Sequence, residues 1–208
     1  MTLLDPSQTF LKLGESVGLD DRLRKAVARV GHIRPTLVQS KCLPLALTEG
    51  RDLLVRARTG SGKTLAYCLP LLQKILRKES TAHDGVKGVV LVPTKELCTQ
   101  VERTLRQLTY YCHELVTVAV LTGGRARSEK GKQEIARQHA MLRDNPNVVV
   151  ATPGGLLTHV RTHAIELKHT VETLVVDEAD LVLSFGTLCT VSISTALFFI
   201  DCILYCCW

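Results

Sequence analysis

Short apolar runs rich in β-branched residues alternate along the chain with longer amphipathic stretches. The runs are Leu53–Val55, Val89–Val92, Val116–Leu121, Val148–Ala151 and Thr173–Val176. Each is nearly all apolar, the pattern of a strand covered on both faces in a parallel sheet. The spacing between them predicts helices over Lys63–Arg77, Glu96–Tyr111, Glu129–Leu142 and Gly155–Thr162. Two more helices fit ahead of the first strand, Asp21–Val30 and Thr36–Leu47, the second following Pro35 at a favoured start. Alternating strands and helices predict a doubly wound α/β domain with right-handed crossovers. Ligands of such sheets sit beyond the carboxyl ends of the strands, so chemistry is expected there.

The 208 residues suffice for one domain with a sizeable core. At 46% hydrophobic and 22% charged, the balance excludes a disordered chain. A net charge of +6 suits a polyanionic partner without identifying one. The charge is uneven. Residues 187–208 hold no Lys or Arg and a single acid, Asp201, whereas residues 1–186 hold 26 bases and 19 acids. Four cysteines (Cys42, Cys68, Cys98, Cys112) are scattered through the body and four (Cys189, Cys202, Cys206, Cys207) crowd the tail. Scattered thiols in a chain of this size read as reduced core residues of an intracellular protein. The start, "MTLLDPSQTFLKLGESVG", lacks a basic segment followed by an apolar run, so no signal peptide is expected.

The chemistry concentrates after two of the strands. "ARTGSGKT", Ala57 to Thr64, is a glycine-rich turn leading into a helix. Such a turn aims backbone N–H groups and the positive end of a helix dipole at a polyphosphate. Lys63 is placed to reach the β- and γ-phosphates of a nucleotide, and the Thr64 hydroxyl to ligate Mg²⁺. Ala57, Arg58, Thr59, Gly60, Ser61 and Gly62 form the cradle; the strict phosphate-loop pattern has Gly where Ala57 stands, and Gly60 and Gly62 supply the freedom instead. "DEAD", Asp177 to Asp180, closes the last strand. Asp177 fits a Mg²⁺-organising acid acting through a metal-bound water, and Glu178 a general base that polarises the attacking water.

Together "ARTGSGKT" and "VVDEAD" resemble the DEAD-box family of ATP-dependent RNA helicases, and the segments between agree. "RPTLVQ", Arg34 to Gln39, resembles the family's adenine-reading Q motif. The resemblance implies that Gln39 hydrogen-bonds the adenine edge and that Thr36 supports its loop. "PTKEL" resembles motif Ia through Pro93, Thr94 and Lys95, with Lys95 where Arg is usual. Gly123 and Gly124 match the glycine doublet, and Thr152, Pro153 and Gly154 resemble motif Ib. In the family these last three segments hold the RNA backbone, a chemistry that reads phosphate and ribose rather than sequence. The run Ser184-Phe185-Gly186 is similar to a nucleolar branch acting in large ribosomal subunit assembly, which implies ribosome biogenesis, a nuclear and nucleolar location, and pre-ribosomal proteins as partners.

Departures from the family pattern are visible too. The family sets an aromatic residue at a fixed distance before the Q-motif glycine, Gly31, to stack on adenine; Gly14 stands there, and Phe10 is the aromatic that a shifted loop would bring near. Gly155 replaces the Arg that often follows motif Ib. Downstream of the acidic motif, no Ser-Ala-Thr motif and no second RecA-like domain follow within the 208 residues. The arginine fingers of that second domain are worth ~10³ to 10⁵ in rate. The chain alone is therefore expected to bind nucleotide weakly, hydrolyse it slowly and leave RNA unwound.

The tail, "TLCTVSISTALFFIDCILYCCW", admits three readings. It is long enough to span a membrane, but Asp201 near its middle costs ~2.5 to 3.5 kcal/mol in lipid and flanking bases are lacking. Its thiols lack a partnering pair at metal-finger spacing. The reading preferred is a foreign end, a translated intron or frameshift, and a membrane partner is not expected. His159 and His163, four apart, lack a third metal ligand and read as solvated or internally satisfied. Arg125, Arg127, Lys130, Lys132 and Arg137 fit either an RNA-facing stripe or a solvated helix face, since Glu129 and Glu134 interleave.

The expectation is thus an α/β, RecA-like P-loop domain with a mainly parallel sheet flanked by helices, the first of two helicase domains. An N-terminal extension and lead-in helix occupy residues 1–30, the ATP-binding domain 31–186 and the apolar non-family tail 187–208. ATP and Mg²⁺ are the expected cofactors and RNA the expected partner. Two rivals remain open at this point, a non-enzymatic short form that binds nucleotide or RNA as a dominant negative, and a fragment of a DNA-directed P-loop helicase.

Overall fold

Six parallel strands form one sheet in the order β1-β6-β5-β2-β4-β3. The computed structural model describes residues 4–77, 85–123, 128–167, 170–184 and 203–207. The strands are β1 (Leu53–Arg56), β2 (Gly88–Leu91), β3 (Val118–Leu121), β4 (Val148–Ala151), β5 (Thr173–Asp177) and β6 (Ile203–Cys207). The helices are α1 (Phe10–Ser16), α2 (Asp21–Arg29), α3 (Leu37–Leu47), α4 (Lys63–Arg77), α5 (Lys95–Leu108), α6 (Glu129–Arg143), α7 (Pro153–Arg161) and α8 (Ala179–Ser184). Every strand and helix expected from the apolar pattern is present, with ends shifted by at most three residues, the usual place for such drift.

The period-two geometry of strands divides the core. Val90, Val92, Val148, Val150 and Val175 point to one face and join Leu23, Leu43, Leu69, Leu72 and Leu105 from α2 to α5. Val89, Leu91, Val149, Ala151 and Val176 point to the other and meet Leu142 of α6, Leu156 of α7 and Val182 of α8. Strands β2, β4 and β5 are buried on both faces, which is why they read as unbroken apolar runs. The edge strands β1 and β3 alternate in burial instead.

Helix starts follow local capping chemistry. Asp20, Thr36, Thr94, Ser128 and Thr152 each lie just ahead of a helix and accept a hydrogen bond from a backbone N–H in its first turn. Two helices were not foreseen, α1 and the short α8. Helix α1 buries Phe10 and Leu13 in the first core cluster, and the Phe10 N–H bonds the Ile33 carbonyl at 2.9 Å. The Phe10 ring is 3% exposed and packs with the core, so burial and not base stacking accounts for this aromatic.

Strand β6 belongs to the tail that the sequence sets apart from the family pattern. Its backbone pairs in parallel with β1 on one side and β5 on the other, with Cys206 opposite both Val55 and Asp177. It fills the position between the strands that lead to "ARTGSGKT" and to "DEAD". The tail before Ile203 lies outside the described residues, as do Gly124, Arg125 and Arg127. Among the described residues no helix is long and apolar enough to cross a membrane, and no group of three or more His, Cys, Asp or Glu is placed to hold a metal.

Candidate functional site

Because all six strands run the same way, their carboxyl ends share one edge of the sheet, and the expected chemistry lies along it. The loop after β1 runs from Ala57 to Gly62 and feeds α4 at Lys63. Gly60 and Gly62 have φ of 74° and 84°, a region that side-chain-bearing residues rarely adopt. At Gly62 a second constraint applies. A Cβ there would meet Gln39 Nε2 at 2.5 Å and Thr36 at 3.0 Å, so the loop is pressed against the "RPTLVQ" segment.

That contact is held by a closed set of bonds. The Thr36 hydroxyl accepts from the Gln39 N–H at 3.2 Å, and Gln39 Oε1 accepts from the Thr36 N–H at 2.8 Å, a capping box at the start of α3. Gln39 Nε2 then donates to the Gly62 carbonyl at 3.1 Å. Gln39, 4% exposed, is therefore a bridge between the Q segment and the glycine-rich loop, with one N–H and one lone pair left to offer. Lys63 is also buried, and its ammonium donates to the Ala57 and Arg58 carbonyls at 2.5 and 3.3 Å. The Ser61 hydroxyl is buried with no partner among the described residues. Arg58, Thr59 and Gly60 are exposed at the loop tip. The N-terminal end of α4, a buried cation and an unpartnered hydroxyl make a cradle that fits a polyphosphate.

Across from the loop, Asp177 ends β5 and is 8% exposed. Its carboxylate accepts from the Tyr67 hydroxyl at 3.0 Å and from the Glu178 N–H at 3.0 Å. Burial pushes its pKa above the ordinary carboxylate value, while the Tyr67 and Glu178 hydrogen bonds and the Lys63 charge pull the other way. Burial and then the Asp177 and Asp180 charges likewise push the Glu178 pKa up. Glu178 sits at φ 50°, a left-handed conformation that costs a non-glycine residue on the order of 1 kcal/mol. The strain turns the chain sharply from β5 into α8.

Tyr67 was not singled out in the sequence. It lies on the face of α4 toward β5, and the Thr64 side chain lies near its hydroxyl. Thr64 and Asp177, two residues with oxygens suited to a hard divalent cation, thus both lie beside one buried phenol, which bonds Asp177. A tyrosine inside the apolar run "LAYCLPLL" is itself a signal, since a buried phenol seeks a partner. The identity of that partner, 110 residues away, is not local information.

The other half of the edge is formed by β2, β4 and β3. Thr94 caps α5, and Lys95 is exposed at its first position. The Thr152 hydroxyl caps α7 by accepting from the Gly155 N–H at 3.2 Å and also accepts from the Gly123 N–H at 3.3 Å. The Gly123 amide is therefore engaged within the fold, while Thr94, Lys95 and Gly154 at the start of α7 are exposed among the described residues of this half. At Gly155 the absence of a side chain has a packing reason. A Cβ there would run into the Leu121 carbonyl and crowd the Gly123 nitrogen. His159 is a core residue, bonded to Gln138 at 2.9 Å. Lys132 pairs with Glu129 at 2.8 Å on α6.

A phosphate-type loop after one strand, paired acids after another and helices on both faces of a parallel sheet define a RecA-like P-loop domain. The chain belongs to the DEAD/DEAH box helicase family, whose model matches residues 36–195. It is 47% identical over 185 residues to a probable ATP-dependent RNA helicase, ddx56, of Dictyostelium discoideum, covering 88% of this chain and 25% of that protein. To the ATP-dependent RNA helicase dbp9 of Aspergillus oryzae it is 45% identical over 174 residues, 83% of this chain and 27% of the relative. The yeast DEAD-box splicing factor Prp28 superposes with a TM-score of 0.81 at 27% identity, over 99% of this chain and 48% of that one. A DEAD box protein of Methanococcus jannaschii does so at 0.79 and 30%, over 96% and 49%. The chain spans about a quarter of the length of these curated relatives.

Proposed function

We propose that the chain binds Mg²⁺-ATP between the Ala57–Thr64 loop and the end of β5, and that it forms one half of an RNA-dependent ATPase. Lys63 would bind the β- and γ-phosphates, with the backbone N–H groups of Gly60 to Lys63 around them. Thr64 directly, and Asp177 through water, would hold the Mg²⁺, whose chemistry is to neutralise charge on the transferred phosphoryl group. Glu178 orients a water in line with the γ-phosphorus and takes its proton as the bond to the β-γ bridging oxygen breaks, leaving ADP and phosphate. Gln39 offers its remaining N–H and lone pair to the adenine edge. On the other half of the edge, Thr94, Lys95, Thr152 and Gly154 would contact phosphate and ribose of one RNA strand.

The observation that carries this reading is that Lys63 and Asp177-Glu178 lie at one sheet edge, with Asp177 held by the Tyr67 hydroxyl. Hydrolysis coupled to unwinding is proposed for the two-domain machine; the 208-residue chain alone would bind nucleotide weakly and turn over slowly. Action in nucleolar assembly of large ribosomal subunits rests on the resemblance of Ser184-Phe185-Gly186, and a fluorescently tagged chain that stays out of nucleoli would remove that support. The site is tested by titrating a fluorescent ATP analogue with Mg²⁺. Lys63→Ala should abolish binding, whereas Glu178→Gln should preserve it; unchanged affinity in Lys63→Ala would overturn the phosphate assignment.

A further inference from the structure

Two polar side chains lie buried beneath the half of the edge assigned to RNA, and neither belongs to a motif. Gln138 on α6 and His159 on α7 are each 1% exposed. The Gln138 amide nitrogen donates toward the Thr122 carbonyl at 3.2 Å, the Thr122 hydroxyl at 3.3 Å and the Glu134 carboxylate at 2.8 Å. With its nitrogen surrounded by acceptors, the amide must turn its oxygen to His159, 2.9 Å from Nε2. The ring then carries its proton on Nε2. Burial and the neighbouring His139 ring, 4.8 Å away, push the His159 pKa down to about 4, so this neutral tautomer holds near neutral pH.

A buried amide and imidazole are costly unless bonded, and apolar residues of like size would fill the same space. The bonds here converge on Thr122, the residue next to Gly123. The Gly123 N–H in turn reaches the Thr152 hydroxyl that caps α7, and α7 carries His159. The circuit closes: α6, the Thr122-Gly123 turn, Thr152, α7, His159 and back to Gln138.

We propose that Gln138 and His159 are positioning residues for RNA, fixing the Thr122-Gly123 turn against Thr152–Gly154 so that both segments meet one strand. This rests on the reading of those segments as RNA contacts. Neither side chain touches RNA.

The test is fluorescence anisotropy of a short labelled oligouridylate, read beside the affinity for a fluorescent ATP analogue. Gln138→Met keeps the volume and removes the donors, and should weaken RNA binding about tenfold, equivalent to about 1.4 kcal/mol of lost hydrogen bonding. Nucleotide affinity should stay within about twofold, because the circuit does not reach the β1–β5 half. His159→Phe should weaken RNA binding less, and the double variant no more than Gln138→Met, as expected of one unit. A folded Gln138→Met protein with wild-type RNA affinity, or with RNA and nucleotide affinity falling together, would overturn the proposal. If Gln138→Met does not fold, His159→Phe carries the same comparison. Lys95→Ala separates the two levels: if the unaltered chain binds the oligouridylate and Lys95→Ala does not weaken it, the assignment of the RNA face fails as well.

Discussion

Removing the Tyr67 hydroxyl tests how the site holds a buried carboxylate. Tyr67 is 2% exposed and its hydroxyl sits 3.0 Å from Asp177 Oδ2. Tyr67→Phe keeps the ring and the packing of α4 against β5, so little cavity cost arises. The loss is a hydrogen bond to an ionised, buried acceptor, worth about 1.5 to 3 kcal/mol. For a domain of this size that lowers Tm by roughly 3 to 12 °C. The effect has a sign in pH. The Asp177 pKa is already raised in the fold, so its ionisation opposes folding: this contribution is most favourable below the unfolded value of 3.8 and is lost as pH rises through the folded pKa. Without the phenol the folded pKa climbs further, and the loss on going to neutral pH deepens. The deficit of Tyr67→Phe should therefore be largest at neutral pH and shrink as pH falls through the folded pKa, where Asp177 is protonated with or without Tyr67. Urea unfolding followed by far-ultraviolet circular dichroism over a descending pH series measures it. A deficit of the same size at every pH would refute the charge-assisted bond, and no deficit at neutral pH would refute the contact.

Other perturbations follow from the same geometry. Gly62→Ala combines an unfavourable φ with a Cβ against Gln39, and should lose more than about 1 kcal/mol together with most nucleotide affinity, read by thermal denaturation and analogue titration. Gly155→Arg should not restore an RNA contact but lower stability, because the Leu121 carbonyl occupies the space its Cβ needs; a gain in RNA affinity without loss of Tm would contradict this. Deleting residues 187–208 removes β6 from between β1 and β5, exposing two ladders of backbone groups and separating the glycine-rich loop from Asp177. The deleted chain should unfold or aggregate; a Tm and analogue affinity equal to those of the full chain would show that β6 supports neither fold nor site.

The parts of the site that were legible in the sequence are those whose chemistry is local. The Ala57–Thr64 turn and the Asp177–Asp180 cluster declare themselves because glycine, cation and acid stand within a few residues of one strand end. The buried strands β2, β4 and β5 were equally legible, since burial on both faces leaves an unbroken apolar run. What escaped depends on pairing across the chain. Tyr67 finds Asp177, Gln138 finds Thr122 and His159, and Gly155 answers to the Leu121 carbonyl. Gln39 was read for its resemblance to an adenine contact, and only the fold shows that most of its amide is engaged in joining Thr36 to Gly62. Strand β6 was hidden for another reason: its run "ILYCC" sits in a segment whose composition departs from the body, while sheet pairing asks only for extended backbone and apolar sides.

Hydrogen–deuterium exchange of the chain with and without Mg²⁺-ATP addresses the division of the sheet edge most directly. Binding should slow exchange at residues 58–64, 36–39 and 177–178, and leave residues 94–97 and 152–156 unchanged. Protection that skips the 58–64 loop, or that falls first on the β2–β4–β3 half, would contradict a nucleotide site between β1 and β5.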